Sequence, residues 1–321
     1  MTVPKAELHV HVEGAAGPDL IRRIAARNRV RVPDGVFDED GGFRWRDFLD
    51  FLGTYDAATS VIRTGEDYRD IVYEYLVACA GEGAIYVELT ASADHAAGVG
   101  LSDAEHLAAL AQGIDDARAE TGIEARVVMS CVRHFGLEKA REVARRTIEA
   151  PHPYVTGFGM GGDEAGHPAA QFAGAFDVAR EAGLGLTVHA GEWDGPDSVR
   201  QGLALGVSRI GHGVRAAEDP ALVRELAECG TVLEVCPTSN VVLGLYPSYA
   251  DHPLPALRAA GVRVTLGSDD PPYWDTSIGG EYGVAAEHFG LGDEALRDIT
   301  RTALRAAFVE EDVRRRLLAL V

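Results

Sequence analysis

The sequence predicts an α/β protein, a single (β/α)8 TIM barrel with a helical lid inserted after its first strand. Three observations predict it. Eight short β-rich runs recur along 321 residues, Ala/Arg/Glu/Leu-rich stretches of helical period separate them, and no Pro/Ser-rich linker or abrupt change of composition divides the chain. A closed barrel suits this rhythm because parallel strands need crossover helices and closure leaves no open edge. A doubly wound open sheet is the competing arrangement. One domain over residues 1–321 is the economical organisation.

In order, the runs are Glu7–Glu13, Ala84–Ser92, Ala125–Val132, Val155–Gly161, Leu184–Ala190, Arg209–Val214, Thr231–Pro237 and Arg263–Asp269. The first connection holds Val32–Thr64, which is long for a βα loop. Within it Phe48, Phe51, Leu52 and Tyr55 are spaced three and four apart, as on one face of a helix. Such a helix suits a lid over the barrel mouth; an ordinary peripheral helix would bury the same face. Later helices carry their own signals: Ser102-x-x-Glu105 is a capping box, and Asp219 before Pro220 pairs an N-cap with proline at the first helical position. Gly122, Gly183, Gly206, Gly230 and Gly261 stand where helices end in a left-handed residue.

Composition narrows the function. Fifty Asp and Glu against 30 Lys and Arg leave a formal charge of −20, which repels polyanions and argues against nucleic acid and anionic membranes as partners. The apolar stretches are strand-sized, and the N-terminus has no signal-peptide core, so the expected location is cytoplasmic. Cys79, Cys131, Cys229 and Cys236 occur singly without CxxC spacing, which suits reduced thiols and leaves any metal to other side chains. Nothing in the sequence bears on oligomeric state.

His9 and His11 flank Val10 in a strand, so both imidazoles point to one face, the interior of a barrel. The fifth run ends in His189-Ala190-Gly191-Glu192, the sixth carries Gly211-His212-Gly213, and the eighth ends in Ser268-Asp269-Asp270-Pro271. Singly, each is equally a satisfied core residue or a helix cap. Together they fall at the C-terminal ends of strands, where barrel active sites are built. A His/His/His/Asp set without thiolate suits a borderline ion such as zinc and leaves a position open for water, whose pKa the ion brings toward about 7. Hydrolysis is the expected reaction. A second, bridged ion would call for a carboxylated lysine on the fourth strand; only Lys5 and Lys139 exist, and that strand runs into Gly159-Met160-Gly161-Gly162. One mononuclear zinc is expected.

These motifs together resemble the adenosine deaminase family of the amidohydrolase superfamily. The likeness runs from residue 5 to about 290 through AELHVHVEG (6–14), FLDFLGTYD (48–56), GDE (162–164), HAGE (189–192), SRIGHG (208–213) and SDDPP (268–272). The H-x-E and P-C-x-x-C signature of cytidine-deaminase zinc sites is absent. The resemblance implies His9, His11, His189 and Asp269 as zinc ligands and Glu192 as the group giving a proton to purine N1 while hydroxide attacks C6. It makes His212 the residue that orients and deprotonates the attacking water, gives Asp270 to N7 and the backbone N–H of Gly162 to N3, and lays Phe48, Phe51, Leu52 and Tyr55 over the substrate. Other readings stand beside these: Glu192 as a hydrogen-bond partner of a ligand histidine, Asp270 as a turn residue, and Gly162 as punctuation before a cap at Asp163. Trp193 and Trp274 suit either the pocket floor or the barrel rim. The remaining histidines, His95, His106, His134, His152, His167, His252 and His288, show no ligand spacing and read as structural or exposed.

The partner is therefore a small-molecule purine. Where adenosine enzymes of this family carry an aspartate facing the ribose 5′-hydroxyl, this chain has Glu13, longer by one methylene, about 1.5 Å. Glutamate there is also seen in relatives acting on adenine, on modified adenines or on larger adenosine derivatives. The aromatic lid face and the Asp270-Pro271-Pro272-Tyr273-Trp274 continuation favour an adenosine-type nucleoside, with adenine or a modified derivative as the alternative. Phosphorylated substrates lack a glycine-rich cradle or a basic cluster beyond Arg44 and Arg46. A catalytically silent barrel would have lost a ligand or Glu192, and none is missing.

Overall fold

The computed structural model describes residues 3–321. Eight parallel strands, β1 (Lys5–His11), β2 (Ala84–Ser92), β3 (Glu124–Val132), β4 (Val155–Gly161), β5 (Gly185–Ala190), β6 (Arg209–His212), β7 (Val232–Val235) and β8 (Arg263–Leu266), pair in sequential order. Just beyond β8 the seam to β1 is closed by backbone: Asp269 N–H donates to His9 O at 3.0 Å and His11 N–H to Asp269 O at 2.9 Å. The barrel thus closes through residues that the sequence marks as ligands.

Several predicted runs are shortened at their C-terminal ends, where the backbone leaves the extended region in different ways. Val12 already turns helical (φ −57°, ψ −50°) and opens a single turn over Glu13–Ala15, so β1 stops at His11. His212 and Asp269 have φ of +59° and +65°, a region few residues without glycine's freedom adopt, and these two end the pairing of β6 and follow that of β8. The helix signals hold: both the Ser102/Glu105 capping box and the Asp219 N-cap form, and all five predicted terminal glycines have positive φ.

Strand alternation divides the barrel sharply. Outward side chains such as Val10, Leu89, Val127, Val188, Ile210 and Leu233 join the apolar layer beneath the helices. The inward set is polar. Arg209, fully buried, places Nε 2.6 Å from Glu234 and a terminal nitrogen 2.6 Å from Glu88, and its guanidinium lies 3.5 Å from the Phe308 ring centre. Phe308 fits only because β4 and β5 are bare there, since a Cβ on Gly157 or Gly185 would come within 2.7 or 2.2 Å of its ring.

Three helices fill the first connection: α1 (Pro18–Asn28), α2 (Phe48–Thr59) and α3 (Gly65–Gly81). The predicted aromatic face lies on α2, which Asp47 caps by accepting from Asp50 N–H. No helix among the described residues is long and apolar enough to cross a membrane.

Burial also leaves an acid-sensitive residue outside the ligand set. His106 lies against Tyr68, and burial pushes it down to about 4 from 6.5. The unfolded chain therefore binds the extra proton first, so stability is full above about pH 6.5 and falls as pH drops toward 4, by about 3 kcal/mol for this group. Thermal melts across that range should show a shallower acid decline for His106→Leu than for the wild type; parallel curves would clear His106 of the effect.

Candidate active site

The C-terminal ends of the strands converge as the sequence predicts. His9 and His11 come from β1, His189 from the end of β5, and Asp269 from the loop after β8; one donor atom of each lies within 4.8 Å of the others. The rings are aimed by their far nitrogens. His9 Nδ1 is 2.9 Å from Glu234 Oε2 and His189 Nδ1 is 3.0 Å from the carbonyl of Met160. Each Nδ1 must donate, which leaves a lone pair on each Nε2 facing inward.

That arrangement asks for a cation. His9 Nε2 is buried without a hydrogen-bond partner, and His11 Nε2 and His189 Nε2 are only 3.2 Å apart. Asp269 Oδ1 stands 3.5 Å from His9 Nε2 and 3.4 Å from His11 Nε2, and its other oxygen accepts from the Ser239 hydroxyl at 2.7 Å. Burial works against charge on His9, yet hydrogen bonds and charge from Asp269 and Glu234 push it up to about 10. Burial and the neighbouring imidazoles push His189 well down. The site favours one positive charge and rejects several. Three imidazoles and a carboxylate at this spacing fit a divalent ion such as zinc.

Beside this set stand the predicted proton-handling groups. Glu192 Oε2 is 3.7 Å from His212 Nε2. Burial, with the negative charges of Asp269 and Glu164 added, holds Glu192 well above the carboxylate range. Asp270 is shifted the same way by burial and by Asp269, and its Oδ1 is buried with no partner. Gly14 makes room for it, since a Cβ there would fall 1.7 Å from that oxygen. Gly162, with φ +99°, lines the same cavity, where a Cβ would press on His134 at 2.7 Å. It is not punctuation before a helix cap, because Asp163 instead accepts from Gly166 N–H in a turn.

The cavity measures about 80 Å3. Phe48, Phe51, Leu52 and Tyr55 of α2 and Glu13 of the turn after β1 line it together with His11, His189 and Asp269. Trp193 and Trp274 are rim residues: Trp193 stacks on Phe48 at 4.4 Å and Trp274 packs on Phe51 at 4.8 Å, both behind the cavity wall.

Two histidines expected to be structural or exposed prove to be lining residues. His95 Nε2 is 3.0 Å from Asp56 Oδ1 and His134 Nε2 is 3.9 Å from its other oxygen. Although burial opposes it, these contacts pull Asp56 down to about 2. Three buried supports were also not foreseen. Glu164, inside the GDE motif, accepts from the backbone N–H groups of Gly191, Glu192 and Trp193 at 2.5, 3.1 and 2.7 Å, and so clamps the loop that carries Glu192. Glu234 aims His9, and Asn240 contacts His212 Nδ1 at 3.2 Å. Nothing in their local spacing marks them; only the third dimension does.

Fold and site together define a metal-type hydrolase barrel of the amidohydrolase kind. The family model described as adenosine deaminase matches residues 4–321, and the chain belongs to that family. It is 52% identical over 317 residues to a protein of Chelativorans sp. (strain BNC1) named adenine deaminase, covering 98% of this chain and 97% of that one. Among solved structures, an adenine deaminase from Arthrobacter aurescens superposes with a TM-score of 0.92 at 29% identity, over 99% of this chain and 97% of its own. A Zn-bound amidohydrolase from Burkholderia ambifaria gives 0.90 at 26% identity, over 99% and 89%. The protein is a hydrolase acting on purine amino groups. Between the nucleoside and the alternative reading of the sequence, these relatives favour the alternative.

Glu234 offers a test of the geometry. Glu234→Gln is expected to weaken binding of a divalent ion about 10–100-fold in competition with a chromophoric chelator. Unchanged affinity would show that Glu234 does not aim His9 at an ion.

Proposed function

We propose that this protein hydrolyses free adenine to hypoxanthine and ammonia, and that residues 1–321 work as one domain with α2 as the lid. The observation that carries the choice of substrate is the full-length 52% identity to a protein named adenine deaminase. The pocket supports it. No Lys or Arg lines it, while Glu13 and Asp56 do, which suits ring N–H groups and opposes a phosphate.

A single zinc held by His9, His11, His189 and Asp269 would supply Lewis acidity that brings the pKa of a water toward about 7. This chain's own residues do the rest. Glu192, whose burial favours the protonated carboxyl, would deliver a proton to N1 as C6 accepts the oxygen. Asp270, shifted in the same direction, would donate to N7 and draw charge away from the ring. The backbone N–H of Gly162, at a position where positive φ and the nearby His134 exclude a side chain, would meet the N3 side. His212 holds the oxygen nucleophile in line. Glu13 is buried, accepts from Ser92 N–H at 3.2 Å and is pushed up by burial. It thus takes the place at the base's far edge where a sugar would otherwise enter. The α2 aromatics exclude water from the ring.

Under one condition, adenine should exceed adenosine, 2′-deoxyadenosine and AMP in kcat/KM by about 10²-fold or more, followed by the ultraviolet change on loss of the 6-amino group. A preference for adenosine would restore the nucleoside reading. Chelation should abolish turnover and one zinc per chain restore it, whereas activity in rigorously metal-free protein would defeat the ligand assignment. Glu192→Gln should keep its metal and lose about 10²–10⁴-fold in kcat; near-normal turnover would reassign the proton carrier.

A further inference from the structure

We infer that Asn240 and His252 are positioning residues that lock His212 as its Nε2–H tautomer, so that this ring presents a proton, and no lone pair, to the reacting atoms. The inference rests on the proposed deamination for the task it gives His212.

The argument begins at a backbone group. Leu254 N–H donates to His252 Nδ1 at 3.2 Å, so that nitrogen is an acceptor and carries no proton. A neutral imidazole with an accepting Nδ1 has its hydrogen on Nε2. His252 stays neutral because it is buried, with Tyr246 and Phe289 packed against its ring at 5.1 and 5.5 Å; burial pushes it down to about 4. Its Nε2–H points at Asn240 Oδ1, 3.2 Å away.

That contact decides which way the Asn240 amide faces. The reversed orientation would set the amide NH2 against an N–H. With Oδ1 toward His252, the Nδ2 group donates to His212 Nδ1 at 3.2 Å. His212 Nδ1 is then the acceptor, and the proton of the neutral ring sits on Nε2, on the side of Glu192 and the ligand set. Both intermediates are well anchored. Asn240 is fully buried on the short helix Pro237–Val242, its N–H bound to Cys236 O at 3.0 Å and its carbonyl accepting from Leu245 N–H at 2.9 Å.

A neutral His212 in this tautomer can donate a hydrogen bond to the oxygen that attacks C6, and it has no free lone pair on that side with which to take a proton. Its work is orientation and charge stabilisation. The resemblance gave it deprotonation as well, and the relay withholds that second role. Proton traffic falls to Glu192: its carboxyl gives a proton to N1, the carboxylate so formed takes the hydroxyl proton at C6 and passes it to the departing amino nitrogen, and the next water restores its own.

The test reads the tautomer directly. In zinc-loaded protein labelled with 15N-histidine, long-range 1H–15N correlation should show His212, assigned by its loss in His212→Gln, as Nε2–H. Asn240→Asp replaces the donor with a carboxylate that accepts from both rings, so His212 should switch to Nδ1–H, with kcat down about 10²–10³-fold and KM changed little. His252→Gln, whose amide can still donate to Asn240 Oδ1, should keep the Nε2–H pattern and most of kcat. An Nδ1–H ring in the wild type, or no switch in a folded Asn240→Asp, overturns the inference. If Asn240→Asp does not fold, the wild-type and His252→Gln spectra decide. A wild type inert toward adenine would count against the proposed substrate and leave the tautomer result standing.

Discussion

The structure depends on a buried meeting of lone pairs. His9 and His189 each surrender one ring nitrogen to an acceptor, Glu234 and the Met160 carbonyl, and so must turn the other inward beside His11 and Asp269. Without a cation these atoms repel or remain unsatisfied, at a cost of about 1–3 kcal/mol for each orphaned group. The same residues close the barrel, because Asp269 exchanges backbone hydrogen bonds with β1 at His9 and His11. Closure of the sheet and assembly of the ligand set are one event. His9, His11 and His189 therefore sit on strands, and Asp269 on a loop that the seam's hydrogen bonds pin to β1.

Below that set the barrel interior continues as a line of charge, from His9 through Glu234 and Arg209 to Glu88, with Phe308 sealing the base. A buried ion pair is weak evidence of stability, since desolvation offsets much of its attraction. Here it has a second effect. Glu234, one of the two carboxylates flanking Arg209, also faces His9 and favours positive charge there, while burial and the nearby Asp269 push Glu192 and Asp270 well up from the carboxylate range. Burial thus raises the acids that lack a cationic partner, while Arg209 and His9 hold Glu234 down.

Most of the scaffold was legible because it is local. Strand alternation placed His9 and His11 on one face, capping boxes and terminal glycines marked the helices, and strand ends collected His189, His212 and Asp269. Boundaries failed where a residue adopts a conformation its side chain disfavours: nothing in Gly211-His212-Gly213 or Ser268-Asp269 announces a positive φ at the non-glycine. The supports failed for another reason. Glu234 reads as one more strand residue, and its meaning appears only when β7 is set beside β1, 225 positions away in the chain. His252 has no ligand spacing because it touches no ligand; it acts through Asn240, 12 residues distant. His95 and His134 were passed over on the same criterion, although each follows a barrel strand at the face where loops build pockets.

Substrate choice turns on the far side of the cavity, where the evidence is of a different kind from that for the chemistry. In the proposed reaction the ligand set, Glu192 and Asp270 address the 6-amino edge shared by every adenine compound, so they carry no information about what hangs from the other edge. Glu13, Asp56, His95 and His134 do. A nucleoside would need hydroxyl partners and open space there. A nucleotide would need positive charge. The wall instead offers a buried Glu13 held by Ser92 N–H and a half-exposed Asp56 already engaged with His95 and His134. Engaged polar groups are costly to displace, because any that lose a partner without gaining another bear the desolvation penalty. A compact base with its own N–H and ring nitrogens can meet such a wall without breaking it. The replacement of aspartate by the longer Glu13, which in the sequence alone pointed both ways, acquires its direction from that surrounding shell.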